Sequence, residues 1–245
     1  MNEKGLTGGC SDGDPAVASG TSIFDPVLTE LCYKWFCPPG GLIMDPFAGG
    51  SVRGIVASVL GYRYQGFELR AEQVAANEAQ AQAICPENPP RWQTGDSAQT
   101  VPAWQGPADF LFSCPPYGDL EVYSDDPADI SAMPHEAFLT AYRAIVAAAV
   151  AKLRPDAFAC FVVGDYRCPK GFYRNFTGET VAAFEAAGAR FYNEAILVTA
   201  VGSLPIRITR QFKAGRKLGK THQNILVFCK GDPKRAAALC EQEAR

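Results

Sequence analysis

The stretch GLIMDPFAGGSVRGIVASVLGYRYQGFELR, Gly41 to Arg70, constrains the fold more than any other part of the chain. A short apolar run ends in Asp45 and a glycine turn, a helical pattern follows from Ser51, and a second apolar run ends in Glu68. Gly61 closes the helical pattern, because the residue just past a last helical turn often takes a left-handed conformation that glycine reaches without steric cost. Strand, crossover helix, strand is the geometry of parallel pairing. The unit then recurs. LRAEQVAANEAQAQAIC leads to RWQTGD and ADFLFS, HEAFLTAYRAIVAAAVAKL to AFACFVVGD, ETVAAFEAAG to RFYNEAILVT, and a basic loop to QNILVFCKG. The expectation is an α/β fold with a doubly wound, mainly parallel seven-stranded sheet, covered by helices on both faces and ending in a reversed hairpin. Ahead of it, PVLTELCYKWF predicts a helix over Pro26–Phe36, with Asp25 as N-cap and Leu28, Leu31, Cys32, Trp35 and Phe36 at helical spacing.

A chain of 245 residues buries a substantial core without disulfides or metal. One domain over 21–245, behind a flexible Gly-, Ser- and Asp-rich arm over 1–20, is the expected organisation. The net charge of -3 carries no global nucleic-acid signal, so such a partner requires positive charge concentrated locally. The nine cysteines are scattered and odd in number, and no CxxC pair or histidine neighbour suggests a zinc site. Free thiols in a reducing compartment are expected, with no metal. No apolar run approaches the roughly 18 residues that span a bilayer, and residues 1–20 lack the basic start and apolar segment of a signal peptide. A cytoplasmic protein without membrane contact is the expectation.

Long loops are expected near 115–134, 166–178 and 202–221, on the edge where the strand carboxyl ends open. Three strand ends carry polar groups that suit one nucleoside. Asp45 precedes the glycine turn, whose backbone a ligand can approach closely and whose following helix start favours a negative group. Glu68 follows about 20 residues on, where a doubly wound fold places a carboxylate on ribose hydroxyls. Asp96, with Ser97 beside it, stands where a side chain can bracket an adenine. No Gly-Lys-Ser/Thr follows the glycines, which excludes phosphate-loop chemistry. At the end of the fourth strand, FLFSCPPYGDL sets a thiol directly before two prolines and a tyrosine.

DPFAGG, GFEL and SCPPY, with TSIFDP in front, resemble the S-adenosylmethionine-dependent DNA methyltransferases of the amino-methylating kind, from about Thr21 to Gly231. The resemblance implies a class I, Rossmann-like methyltransferase fold and S-adenosylmethionine as cofactor. It implies that Asp45, Phe47, Ala48, Gly49 and Gly50 line the methionine part, Glu68 the ribose, Asp96 and Ser97 the adenine, and that Phe24 belongs to a preceding cofactor-contacting segment. Ser113, Cys114, Pro115, Pro116 and Tyr117 occupy the catalytic motif, with Tyr117 stacking on a base extruded from the DNA helix.

Cys114 departs from that family, whose residue before the two prolines accepts a hydrogen bond from an exocyclic amine through an oxygen. Sulfur is a weak acceptor. A thiolate is suited to add to C6 of a pyrimidine and make C5 nucleophilic, the route of the cytosine-C5 methyltransferases. Cytosine C5 methylation through Cys114 is therefore the first reading. N4-cytosine or N6-adenine methylation, with Ser113 or backbone groups as acceptor, stands beside it, as does an inert packing thiol. The C5 route also needs an acid at ring N3, for which Glu121, Asp119 and Asp165 are candidates, while the ENV tripeptide of the C5 family is absent.

PIRITRQFKAGRKLGKTH, Pro205 to His222, holds Arg207, Arg210, Lys213, Arg216, Lys217 and Lys220 and no acid, a concentrated positive stripe suited to DNA phosphates. GDYRCPKGFYRNF is aromatic and basic enough to contact bases, or to be a packed loop. His135 and His222 have no visible partner for acid-base work and read as structural. Two rival readings remain: methylation of RNA or protein, which related Pro-Pro-Tyr motifs also serve, and a non-catalytic nucleic-acid-binding module.

Overall fold

A computed structural model of the chain describes residues 23–120, 122–199 and 204–241, with the backbone alone for Asp119, Ile206 and Arg207. The arm expected over 1–20 and the candidate acid Glu121 lie outside the described residues.

The elements run α1 (Pro26–Phe36), β1 (Leu42–Asp45), α2 (Val52–Val59), β2 (Arg63–Glu68), α3 (Ala71–Ile84), β3 (Arg91–Thr94), α4 (Ser97–Ala103) and β4 (Ala108–Ser113). They continue with α5 (His135–Lys152), β5 (Leu153–Val163), α6 (Phe176–Ala186), β6 (Arg190–Val198), α7 (Leu204–Gly215), β7 (His222–Lys230) and α8 (Pro233–Cys240). The strands form one sheet in the order β3-β2-β1-β4-β5-β7-β6, with β7 antiparallel to both neighbours and the pairs from β3 to β5 parallel. The doubly wound sheet and its reversed hairpin thus match the sequence expectation. Strand order reverses between β1 and β4, and the crevice outside their carboxyl ends is where open α/β sheets bind ligands.

Alternation along each strand divides the core. Met44, Leu111, Phe161 and Phe228 face α4, α5 and α6, while Ile43, Phe110, Phe112, Cys160 and Val227 face α1, α2, α3 and α8. Phe184 stacks on Phe228 with ring centroids 3.9 Å apart, closing the first layer beneath α6. At the amino ends of the strands, buried Asp109 accepts from Leu42 N at 2.7 Å and pairs with Arg154 at 2.5 Å, tying β1, β4 and β5 together. A cleft of about 380 Å³ at that end is lined by Gln105, Pro107, Lys152, Arg154 and Lys230. Its lysines donate to the carbonyls of Trp104, Val150 and Leu153, so it reads as a seam between elements and not as the reactive site.

Four features differ from the sequence expectation. On α1, Asp25 caps the helix as expected, accepting from Val27 N at 2.8 Å. The buried face, however, holds Leu28, Thr29, Cys32 and Tyr33, and Leu31 and Trp35 are exposed, because Tyr33 is drawn inward to donate to Arg53 O at 3.0 Å. The basic loop expected over 202–221 contains α7, built from Arg, Gln, Lys and Ala with its proline confined to the first turn. Helix α8 was not anticipated, although Asp232 caps it and Pro233 opens it. Strand β5 starts at Leu153, four residues earlier than the pattern indicates.

No helix among the described residues is long and apolar enough to cross a membrane. Gly66 marks a tight point of the layer that holds Trp92: a Cβ there would stand 2.7 Å from Trp92 Cδ1 and 2.9 Å from Ala48 Cβ. Gly66→Ala is therefore expected to destabilise by about 1–3 kcal/mol, or about 2–4 °C of melting temperature per kcal/mol. Thermal unfolding measures it, and an unchanged midpoint would show that this layer gives way freely.

Candidate active site

Asp45 ends β1 and has no solvent exposure. Four donors converge on it. Arg53 Nε and Tyr64 Oη reach Oδ2 at 2.6 and 2.8 Å, and Ser113 Oγ and Phe47 N reach Oδ1 at 2.6 and 3.1 Å. Arg53 rises from the first turn of α2, and its Nη2 donates to Phe47 O at 2.7 Å and Ala48 O at 2.8 Å while its guanidinium lies 4.8 Å from the Phe24 ring centroid. Burial alone would lower the Arg53 pKa, but Asp45 and Tyr64 overcome that and raise it, so the guanidinium stays charged. Burial and Asp45 together push the Tyr64 phenol up, keeping it a donor.

With the carbonyls of residues 47 and 48 turned to Arg53, the next two residues form an open turn. Gly49 has φ +52°, and among the described residues no atom beyond the chain neighbours lies within 4 Å of where a Cβ on Gly49 or Gly50 would stand. Gly49 N donates to Glu68 Oε2 at 2.9 Å, and Gly49 O accepts from buried Asn77 Nδ2 at 2.7 Å. The turn is held from behind and bare in front, as a backbone that receives a ligand must be. Glu68 Oε1 accepts from Arg70 N at 3.0 Å, which leaves lone pairs on both carboxylate oxygens for hydroxyl donors. Burial raises the Glu68 pKa, and the two backbone N–H groups oppose it.

Asp96 caps α4 through Oδ1, which accepts from Ala98 N at 2.8 Å, and its Oδ2 has no hydrogen bond among the described residues. Ser97 Oγ donates to Pro46 O at 2.7 Å, so its proton ties α4 to the turn after β1 and is not offered to a base. Phe47 is partly buried against Tyr142 and Phe161, and Ala48 is wholly buried beneath the turn.

The β4 end lies next to this turn. Ser113 is fully buried and its hydroxyl is committed to Asp45. The next residue, Cys114, is half-buried, and its Sγ lies 3.7 Å from Tyr117 Oη. Tyr117 Oη also accepts from Gln223 Nε2 at 2.5 Å, and its ring packs edge-on against Phe176. Burial, then Cys114, pushes the Tyr117 phenol well above its ordinary range, so it remains protonated and able to donate. Pro115 is buried and Pro116 half-buried, and Gly118, at φ +56°, turns the chain where a Cβ would stand 2.2 Å from Tyr166 Oη. At Gly164, just past β5, a Cβ would lie 3.8 Å from both Lys220 Nζ and the Tyr117 ring and 3.9 Å from Gln223. Lys220 therefore reaches the same recess as Tyr117. Burial lowers its pKa and Asp165 opposes that. Asp165 Oδ1 in turn accepts from Thr177 N at 3.0 Å.

The structure thus gathers Asp45, Phe47, Gly49, Gly50, Glu68, Asp96, Ser113, Cys114 and Tyr117 along one sheet edge, with Phe24 behind Arg53. Arg210, Lys213 and Arg216 stand exposed along and just past α7, and Lys217 is half-buried. For Arg207 the backbone position on α7 is described. Among the described residues no group of three or more His, Cys, Asp or Glu could hold a metal ion.

Arg53, Asn77 and Gln223 hold the candidate site in place and lie outside the motifs. Arg53 and Asn77 carried one signal each, as polar residues on otherwise buried helix faces. Gln223 has none, since its partner is 106 residues away.

No protein-family model matches the chain, and no curated protein matches it. Solved structures do match its fold. TrmN from Thermus thermophilus is 16% identical with a TM-score of 0.56, over 84% of this chain and 48% of that one. Precorrin-6y C5,15-methyltransferase from Geobacter metallireducens GS-15 is 11% identical with a TM-score of 0.53, over 84% of this chain and 87% of that one. Magnesium protoporphyrin IX methyltransferase (ChlM) from Synechocystis PCC 6803, with bound SAM, is 13% identical with a TM-score of 0.50, over 78% of this chain and 71% of that one. The chain spans about half the length of TrmN. The likeness shows the fold, that of the class I, Rossmann-like methyltransferases.

Removing the Arg53 charge leaves Asp45 buried beside three neutral donors. Arg53→Met is expected to cost about 3–5 kcal/mol, the usual effect of breaking a buried pair from one side. Urea unfolding checks it, and a loss below 1 kcal/mol would mean that Asp45 does not depend on Arg53.

Proposed function

We propose that the protein is an S-adenosylmethionine-dependent methyltransferase whose acceptor is a base of nucleic acid, with cytosine C5 in DNA as the target and Cys114 as the nucleophile. The observation that carries this reading is one hydrogen bond. Ser113 Oγ on Asp45 locks the residue before Cys114 to the residue that opens the glycine turn, so thiol and turn share one edge. The residues present fit the cofactor. The bare backbone of Gly49 and Gly50 suits the methionine part, the unfilled acceptor capacity of Glu68 suits ribose hydroxyls, and Asp96 Oδ2 suits the adenine amine. When bound, S-adenosylmethionine supplies an activated methyl group.

The chain's own residues then have the following tasks. Cys114 Sγ, as thiolate, adds to C6 of a cytosine held out of its stack, forming a C–S bond and moving electron density onto C5. Tyr117 Oη, fixed by Gln223, donates toward that sulfur and favours its thiolate form. Once C5 carries the methyl, a solvent water takes the C5 proton, the electron pair of that C–H bond restores the C5–C6 double bond, and the C–S bond breaks with the sulfur leaving as thiolate. Among the motif residues, Ser113 is a poor candidate for an amine acceptor, because its hydroxyl is buried and spent on Asp45. This favours the thiol route over N4 or N6 methylation assisted by Ser113. The exposed cations of α7 and the segment after it support a polyanionic substrate.

Two measurements test the reading. DNA carrying 5-fluorocytosine cannot lose its C5 substituent as a proton, so the wild-type protein is expected to remain covalently attached to it in the presence of S-adenosylmethionine, and Cys114→Ala is expected to lose the adduct. Methyl transfer to normal DNA without any adduct would remove Cys114 as nucleophile. Glu68→Ala is expected to weaken S-adenosylmethionine binding at least about tenfold by calorimetry, the scale of one lost charge-assisted hydrogen bond. Unchanged affinity would detach Glu68 from the cofactor.

A further inference from the structure

The recess at Cys114 and Tyr117 opens beside a surface whose hairpin and exposed rings the tasks above leave unused. Residues 166–174 form a tight hairpin. Arg167 and Tyr173 pair as an antiparallel bridge, Cys168 N donates to Phe172 O at 2.8 Å, and Arg167 Nη1 donates to Gly171 O at 2.8 Å. At its tip Phe172 is 72% exposed, and the Arg167 guanidinium lies 3.9 Å from the Tyr173 ring centroid. At the end of α7 a second cation sits on a ring, with Phe212 40% exposed and the Arg216 guanidinium 5.0 Å from its ring centroid. Lys217 joins the two parts, its Nζ lying 3.0 Å from where a Gly171 Cβ would stand. Lys220, three residues on, reaches the Tyr117 recess.

Composition matches the geometry. Residues 166–178 and 204–221 contain no acid, although the whole chain carries a net charge of -3. They contribute Arg167, Lys170 and Arg174 from the hairpin and six Lys and Arg from the second segment. Exposed rings beside cations, in two segments that contain no carboxylate, offer π-faces to stack on and charge for a polyanionic backbone. Exposed phenylalanine gives nothing to a purely electrostatic partner.

We infer that this surface is a stacking platform for an unpaired stretch of nucleic acid flanking the base in the recess, with Phe172 and Phe212 against bases and Lys217 on phosphate. The inference rests on the nucleic-acid acceptor proposed above and deepens it. It assigns to the 166–174 hairpin and the end of α7 a preference for single-stranded over duplex substrate beside the target.

Fluorescence anisotropy with a labelled 20-nucleotide oligothymidine and a duplex of the same length tests it, without any methyl transfer. The wild type is expected to bind the single strand more tightly than the duplex. Phe172→Ala and Phe212→Ala should each weaken single-strand binding by about 5- to 100-fold, the range of one lost base stack, while leaving the salt slope unchanged. Lys217→Gln should reduce that slope by about 0.7, one phosphate on a single strand. Phe172→Trp should retain affinity and show quenched emission from the new indole on binding. Ring variants that bind the oligothymidine as the wild type does would overturn the platform and leave the proposed reaction standing. Displacement of the oligonucleotide by polyglutamate at equal charge would overturn it in favour of an acidic protein partner. A wild type that binds no nucleic acid would overturn both.

Discussion

The carboxylate of Asp45 lies where water does not reach, and the arrangement of the whole edge follows from how it is satisfied. A buried carboxylate needs a full set of donors, and here the three side-chain donors come from three separate places. Arg53 comes from α2, Tyr64 from β2 and Ser113 from the end of β4. Each bond fixes something else. Arg53 turns two carbonyls inward and so bares the glycines, Tyr64 locks the neighbouring strand, and Ser113 sets the point from which Cys114 departs. Buried ion pairs seldom add much net stability, since desolvation offsets their attraction. Their value here is positional: the pair gives the turn one conformation.

The two sides of the edge are built differently. On the glycine side the turn is held by Glu68, Asn77 and Arg53 from beneath, and no described residue packs against the space where a Cβ on Gly49 or Gly50 would stand. On the thiol side the chain folds back through Pro115 and Pro116, and the sulfur sits with the phenol of Tyr117, itself held by Gln223 from the antiparallel strand β7. Strand β7, between β5 and β6, thus does more than complete the sheet. It brings Gln223, and through the preceding segment Lys220, to the recess at Tyr117, whose other walls come from the parallel half. The reversed hairpin is what allows this, because only a strand entering from the carboxyl-end side starts next to the recess.

What the sequence made legible follows from range. The strand-turn-helix units around Asp45 and Glu68 depend on neighbours within a few residues, so alternation, glycine turns and caps reveal them. Asp25 and Pro26 mark the start of α1 for the same reason. The inward face of α1 is a different matter: Tyr33 is buried because its hydroxyl finds Arg53 O, 20 residues away. The Asp45–Ser113 bond spans 68 residues and the Gln223–Tyr117 bond 106, and no local pattern encodes either. Helix α7 reads as a basic loop by its run of Lys and Arg, and only its helix-forming composition distinguishes it from one. The motif residues were therefore visible, and the bonds that give them their separate tasks were not.

If one edge holds both a thiol nucleophile and the methyl donor, the chemistry must leave its mark on carbon. Incubating DNA with the protein and S-adenosylmethionine, digesting it to nucleosides and weighing the separated products measures this most directly. 5-Methylcytosine as the methylated product is the expected result. N4-methylcytosine or N6-methyladenine in its place would contradict the role given to Cys114, and with it the reading of the Asp45–Ser113 bond as the link between nucleophile and donor.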